Sequence, residues 1–215
     1  MGQKVNPTGF RTGYFLPWRS RWFAERGLFK ENFLEDIKIR RVISQKLAMA
    51  GLESIDIERL PKMIKIIISV SRPGLVIGRG GSGLEDLKKQ VVLAIWAKKA
   101  GKLGIKVDFQ INEIKSPDTS AKIILDRVIM DLEKRIPQRR VVTKVMERAI
   151  QSGAQGIKIV LAGRIGGAEI SRVEKYHMGS VPTQTLRETI DYAEAPASLK
   201  RGYVGVKVYV HKKKE

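Results

Sequence analysis

The sequence predicts an α+β protein of two domains in tandem. Three observations carry this. The first half reads α-β-β-α-α-β, with a glycine-rich loop between its two middle helices. The second half reads as two amphipathic helices followed by about four strands, most simply an antiparallel sheet. Ser116-Pro117 marks the break between them. The chain's 215 residues suffice for two small domains, and a hydrophobic content of 43% can fill their cores.

Residues 1–28 show no clean periodicity and read as an arm. Bases (Lys4, Arg11, Arg19, Arg21, Arg26) alternate there with aromatics (Phe10, Tyr14, Phe15, Trp18, Trp22, Phe23). That mixture offers charge to phosphates and rings to bases. Trp18, Trp22 and Phe23 could equally staple the arm to a core. The first domain is expected over 29–114. Residues 31–50 form its opening helix, with Phe33, Leu34, Ile37, Val42, Leu47 and Ala48 as the apolar face and Gly51 as the stop. Leu52, Ile55, Ile57 and Leu60 mark a half-buried strand, Pro61-Lys62 a turn, and Met63 to Val70 an isoleucine-rich central strand. Leu75-Val76-Ile77 is a short apolar turn. Leu84, Leu87, Val91, Val92, Ile95 and Trp96 then repeat at helical spacing, ended by Gly101 and Gly104. Ile105, Val107, Phe109 and Ile111 alternate as the last strand of this domain.

Between those helices lies Val76-Ile77-Gly78-Arg79-Gly80-Gly81-Ser82-Gly83-Leu84. Glycine lets backbone N–H groups approach an anion closely, and a helix starting just afterwards adds its own free N–H groups. A Walker loop requires Lys then Ser/Thr after the last glycine, but Leu84 and Glu85 follow. Gly78, Gly80 and Gly83 do fit a dinucleotide fingerprint. However, Ser71–Leu75 separates them from the strand, and Lys99 and Lys102 stand about 20 residues on, where an acid belongs. The third reading is the G-x-x-G clamp of a KH module, Gly78-Arg79-Gly80-Gly81, which grips the backbone of single-stranded nucleic acid. It expects a short helix before the loop, a base within it and an amphipathic helix after it. The element order is that of a type II KH domain. The plain alternative is a glycine turn with no ligand.

The second domain is expected over 115–211, with a basic tail over 212–215. Ala121, Ile124, Leu125, Val128, Ile129 and Leu132 form one helical stripe. Ile136-Pro137 opens a second helix, in which Val141, Val142, Val145, Ala149 and Ile150 face inward. Arg139, Arg140, Thr143, Lys144 and Arg148 then face outward, interrupted by Glu147. This is either a solvated face or a ridge that tracks phosphates. Gly153 stops the helix. Strands follow at Ile157–Leu161, along an extended stretch to about Tyr176, around Leu186–Tyr192, and from Gly205 to His211, with turns at Gly163–Gly167 and Met178-Gly179-Ser180.

Composition narrows the function. Lys and Arg total 41 against 22 acids, a net charge of +19. The excess is spread over every quarter of the chain, as for a protein set among polyanion on several sides. There is no cysteine, which excludes disulfides, thiol nucleophiles and zinc ribbons. His177 and His211 stand alone, so no metal site and no cofactor is expected. No nucleophile is paired with a base, so neither enzyme activity nor a small-molecule substrate is expected. No apolar run approaches the ~18 residues that would span a bilayer, and no membrane partner is expected. The opening Met1-Gly2 lacks the Ser or Thr at position 6 that myristoylation needs.

With these residues in view, the chain resembles the bacterial-type family of small-subunit ribosomal protein three. The likeness rests on Met1–Pro7 with Gly9-Phe10-Arg11, on Val76–Gly81 with Leu84, on Gly163–Ile170, and on Gly202–Val208. It covers essentially the whole chain. The resemblance implies a cytoplasmic, ribosome-bound structural protein in the head of the small subunit. Its partners would be small-subunit ribosomal RNA, neighbouring head proteins and messenger RNA. The match at residue 1 implies that no transit peptide precedes it. Ribosomal-RNA contacts are expected at Lys4, Asn6, Arg11, Arg19, Arg21, Arg164, Arg172 and Lys175. The family's basic cluster, which helps unwind structured message where it enters the ribosome, falls on Arg139 and Arg140. Its third position falls on Thr143, with Lys144 adjacent. A free KH-type regulator of a few messages is the alternative function.

Overall fold

A computed structural model describes residues 4–60, 63–96 and 106–213. The Pro61-Lys62 turn, the Gly101 and Gly104 stops and Ile105 fall outside these residues, as do the side chains of Ile95 and Trp96. The chain forms two compact units, Trp18–Lys115 and Met1–Pro17 with Ser116–Glu215. The expected arm is therefore divided. Its first 17 residues join the second unit and the remainder joins the first.

The chain opens with α1 (Pro7–Arg11), part of the second unit. Asn6 caps it, its Oδ1 accepting from the Thr8 and Gly9 N–H groups at 2.9 and 3.2 Å.

The first unit contains β1 (Ser20–Arg21), α2 (Arg26–Lys46), β2 (Leu52–Leu60), β3 (Met63–Val70), α3 (Pro73–Ile77), α4 (Ser82–Trp96) and β4 (Lys106–Glu113). The sheet order is β1-β2-β3-β4, with β2–β3 antiparallel and β3–β4 parallel. Central β3 buries Ile64, Ile66, Ile68 and Val70 in strict alternation. Burying an isoleucine contributes about 2 kcal/mol. Leu52 and Ile55 reach the same core despite their odd spacing because the β2–β3 register shifts between Leu52 and Ser54. α2 and α4 close this core through Ile39 and Ile43, with Leu47 just past the end of α2, and through Leu87 and Val91. The α-β-β-α-α-β order holds.

The face expected of the opening helix holds only in part, with Leu47 buried and Val42 packed against the core. Phe33, Leu34 and Ile37 are exposed, whereas Asp36, Ile39 and Ile43 are buried. Asp36 faces inward because it ties α2 to β1, to Trp22 just beyond β1, and to β2. Its Oδ2 accepts from Ser20 Oγ and Trp22 Nε1 at 3.1 and 2.8 Å, and its Oδ1 from Arg59 Nε and Nη2 at 2.8 and 2.6 Å. A paired carboxylate can occupy an inward position that hydrophobic periodicity assigns to carbon.

The second unit adds α5 (Ala121–Glu133), α6 (Gln138–Gln151), β5 (Gly156–Gly163), β6 (Arg172–Gly179), β7 (Ile190–Leu199) and β8 (Gly202–His211). Its sheet is antiparallel throughout, in the order β6-β5-β8-β7. Ile157, Ile159 and Leu161 of β5 and Val204, Val206, Val208 and Val210 of β8 meet both helices in one core. The α5 N-terminus is satisfied from β7, where Asp191 Oδ2 accepts from the Ala121 N–H at 2.9 Å.

Two strand boundaries differ from expectation. β6 continues through the expected Met178–Ser180 turn to Gly179, which pairs with Gly156. A Cβ on Gly179 would lie 2.3 Å from the Gln155 carbonyl oxygen, so this glycine serves close backbone approach within a strand. β7 begins at Ile190, not near Leu186. Its run Ala193-Glu194-Ala195-Pro196-Ala197 has little strand character. Pro196 is tolerated because β7 is the sheet edge.

Candidate nucleic-acid interface

The glycine loop joins α3 to α4 as a single turn over Arg79–Gly81. Gly78, Gly80 and Gly81 all have positive φ, at 71°, 61° and 84°. The glycines have two different jobs. A Cβ on Gly83 would lie 2.8 Å from the Val76 carbonyl oxygen, and one on Gly78 would lie 2.9 Å from the Gly83 nitrogen. Those two let α3 and α4 meet. Gly80 and Gly81 have open space where a Cβ would stand. Their backbone is bare toward solvent beside exposed Arg79 and the positive end of the α4 dipole. Ser82 Oγ donates to the Arg79 carbonyl at 3.0 Å and holds the turn.

α6 is sharply two-faced. Val141, Val142, Val145, Met146 and Ala149 are buried, while Arg139, Arg140, Thr143, Lys144, Glu147 and Arg148 are exposed. Arg140, Lys144 and Arg148 recur every four residues and form one row of cations. Arg139 leads the neighbouring row and lies near the Tyr176 hydroxyl on β6. Tyr176 donates its hydroxyl to Glu174 Oε2 at 2.5 Å. Burial and that carboxylate push the Tyr176 hydroxyl up in pKa, while Arg139 pulls it down.

The sheet face away from the helices carries a third basic cluster. Lys158 pairs across with His177 on β6 and with Tyr209 on β8, and its ammonium lies 5.7 Å from the Tyr209 ring centre. Burial, with Lys4 and Lys175 nearby, holds the Lys158 ammonium below the usual lysine range. The structure thus gathers Lys4 and Lys175, distant in sequence, around a lysine that spacing did not single out. Alternation along β5 placed Lys158 outward. Only the fold brings it near the other two.

Other expected contacts fare differently. Arg11 is 1% exposed, and its guanidinium is consumed by backbone carbonyls, so it is a fastener here and not a free phosphate ligand. Asn6 spends its side-chain oxygen on the α1 cap. Arg21 is partly exposed and pairs with Glu58 at 2.9 Å. Arg19 and Arg172 are exposed. Arg164 is exposed but held by the Ala168 and Arg201 carbonyls at 2.8 and 3.2 Å. Among the aromatics, Trp22 is a staple through Asp36, while Trp18 and Phe23 are open. Among the described residues no group of His, Cys, Asp and Glu could hold a metal, and no helix is long and apolar enough to cross a membrane.

Residues 38–119 match the family model of the KH domain, and residues 128–210 match that of "Ribosomal protein S3, C-terminal domain". The class is therefore an RNA-binding ribosomal protein built as a KH domain followed by a second α+β domain. The chain is 47% identical over 212 residues to "Small ribosomal subunit protein uS3" of Caldicellulosiruptor saccharolyticus, covering 99% of this chain and 92% of the relative. It is 43% identical to the protein of the same description from Clostridium novyi, covering 99% and 93%. The chain belongs to the uS3 family of small ribosomal subunit proteins. It is a structural component of the small ribosomal subunit, not an enzyme.

Proposed function

We propose that the chain sits in the head of the small subunit and that α6 lines the channel where messenger RNA enters. The observation that carries this reading is the cationic ridge of α6, with Arg139, Arg140 and Lys144 exposed on a helix whose other face is sealed in the core. A rigid helix holds these charges in fixed register, so they can grip successive phosphates of one strand. Gripping the single strand lowers its free energy relative to the hairpin from which it came. That favours unwinding without any chemical step, as expected of a non-enzymatic component. The Lys4–Lys158–Lys175 cluster, with Arg19, Arg21 and Arg172, neutralises ribosomal-RNA phosphates. The bare backbone at Gly80 and Gly81, with Arg79, clamps a single-stranded segment. Neighbouring head proteins share the assembly.

Small subunits carrying Arg139→Ala and Arg140→Ala test the reading. We expect normal assembly and slowed passage through message hairpins. Unchanged hairpin passage by the double variant would remove α6 from the path of the message.

A further inference from the structure

A cavity of about 650 Å³ lies where the α5–α6 turn meets the ends of β5 and β8. It falls within the roughly 300–1,000 Å³ of small-ligand sites. It belongs to neither the glycine loop nor the sheet-face cluster. Its floor is apolar, with Leu161, Ile165 and Val204 reaching it from the core. Its rim is cationic. Arg135, Arg164, Lys200 and Arg201 line it against one carboxylate, Glu133.

The rim is built in place. Arg164 donates from Nη1 to the Arg201 carbonyl at 3.2 Å, and Arg201 donates from Nη1 to the Gly167 carbonyl at 2.7 Å. A Cβ on Gly167 would lie 2.9 Å from Arg201 Cδ, so the absent side chain makes room for that guanidinium stem. Cations already held by carbonyls lose little rotamer freedom when they bind an anion. Arg135 adds a separate sign. Its φ of 62° makes it the non-glycine residue with positive φ among the described residues. Glycine or asparagine would hold that turn more cheaply, by about 1 kcal/mol. An arginine stands there instead, and it lines the cavity.

We propose that this cavity receives one unpaired nucleotide of RNA. The base covers the apolar floor, with Gln138 and Ser198 in the lining to meet its polar edge. The phosphate lies at the rim formed by Arg135, Arg164 and Arg201. An acidic peptide side chain would satisfy the rim but leave the floor wet. A flat aromatic base satisfies both, and single-stranded segments present such bases splayed from their neighbours. The nucleotide can come from ribosomal RNA or from message, because Gln138 directly precedes the α6 ridge. The inference does not depend on the ridge assignment.

The test is base-by-base chemical probing of small subunits, free and programmed with message, carrying the wild-type chain, Arg135→Asn or Ser198→Trp. Arg135→Asn removes a rim cation while suiting positive φ, so its thermal midpoint should equal or exceed the wild type. Ser198→Trp obstructs the cavity from an exposed edge position. We expect one unpaired base that is protected in the wild type and becomes about tenfold more reactive in both variants, the loss of one charge-assisted contact. Its position in ribosomal RNA or in message identifies the source. Identical reactivity in all three particles overturns the proposal. So does a cross-link from this cavity to an acidic segment of a neighbouring protein. Either result leaves the ridge test above untouched.

Discussion

Arg11 donates from Nε to the Glu188 carbonyl at 2.8 Å, across 177 positions of sequence. The same guanidinium reaches the Pro7, Thr183 and Thr185 carbonyls at 3.0, 3.2 and 2.8 Å. One rigid fork therefore ties α1 to the turn that feeds β7. Burial lowers its pKa, yet a guanidinium stays charged. Arg11→Ala should cost about 3 kcal/mol, because four carbonyls gathered around one buried guanidinium lose their donor at once. Arg11→Lys should recover only part of this, since one ammonium cannot span the same set. Hydrogen exchange of the full chain should show faster opening at residues 183–190 in both variants.

That contact also shows where sequence reading stops. The α6 faces and the glycine loop are legible because both depend only on spacing along a few turns. Arg11 looks like a phosphate ligand because its acceptors come from a turn that no local pattern announces. The α2 face is misread for a related reason. Asp36 earns its inward position from Ser20, Trp22 and Arg59, which adjoin it only in the folded unit. Arg135 and Arg201 pass unnoticed as isolated bases, because the cavity they line exists only once the α5–α6 turn meets β8. The start of β7 is hidden by its alanines and Pro196, acceptable there because β7 is an edge strand among the described residues.

The glycines of the loop should separate by substitution. Gly83→Ala drives a methyl group against the Val76 carbonyl, and we expect a loss of about 1–3 kcal/mol in stability. Gly80→Ala meets no neighbour and costs about 1 kcal/mol for its positive φ. Its methyl, however, stands where RNA would approach the backbone. Unfolding and single-stranded RNA binding, measured on both variants, should show Gly83→Ala as the less stable and Gly80→Ala as a folded chain with reduced affinity. Full affinity in Gly80→Ala would mean that no ligand approaches this backbone.

Tyr192 and Glu194 set a pH window for the β7–β8 edge. Tyr192 donates to Glu194 Oε2 at 2.5 Å. Burial and that carboxylate push the tyrosine well above its ordinary value of 10.0. Glu194 is lowered, first by the Tyr192 hydroxyl and then by Lys207. The signs follow from proton binding. Above about pH 10 the unfolded tyrosine ionises while the folded one keeps its proton, so stability falls as pH rises. At the acid end the lowered carboxylate contributes above its unfolded pKa, and that contribution is lost as pH falls through the folded one. Tyr192→Phe should flatten both edges relative to the wild type. Thermal midpoints of the two chains from pH 3 to pH 11 check this. Parallel curves would assign the pair no role.

Thr143 interrupts the α6 ridge, and charge placed there should report on the message directly. It lies one turn beyond Arg139 and one turn before Glu147, in the row beside Arg140, Lys144 and Arg148. Lys144 is adjacent in sequence but about 100° away around the helix, so it does not fill that row. Thr143→Arg should therefore add a phosphate contact, raising the salt dependence of single-strand binding by about one unit of slope. Glu147 would take back part of the gain by pairing with the new arginine. Adding Glu147→Gln should release that part. Stability should move by no more than about 0.5 kcal/mol, because the position is exposed. Thr143→Asp should slow passage through message hairpins in assembled subunits, and Thr143→Arg should speed it. If opposite charges at this position leave hairpin passage equal, the α6 ridge faces solvent or protein instead of message.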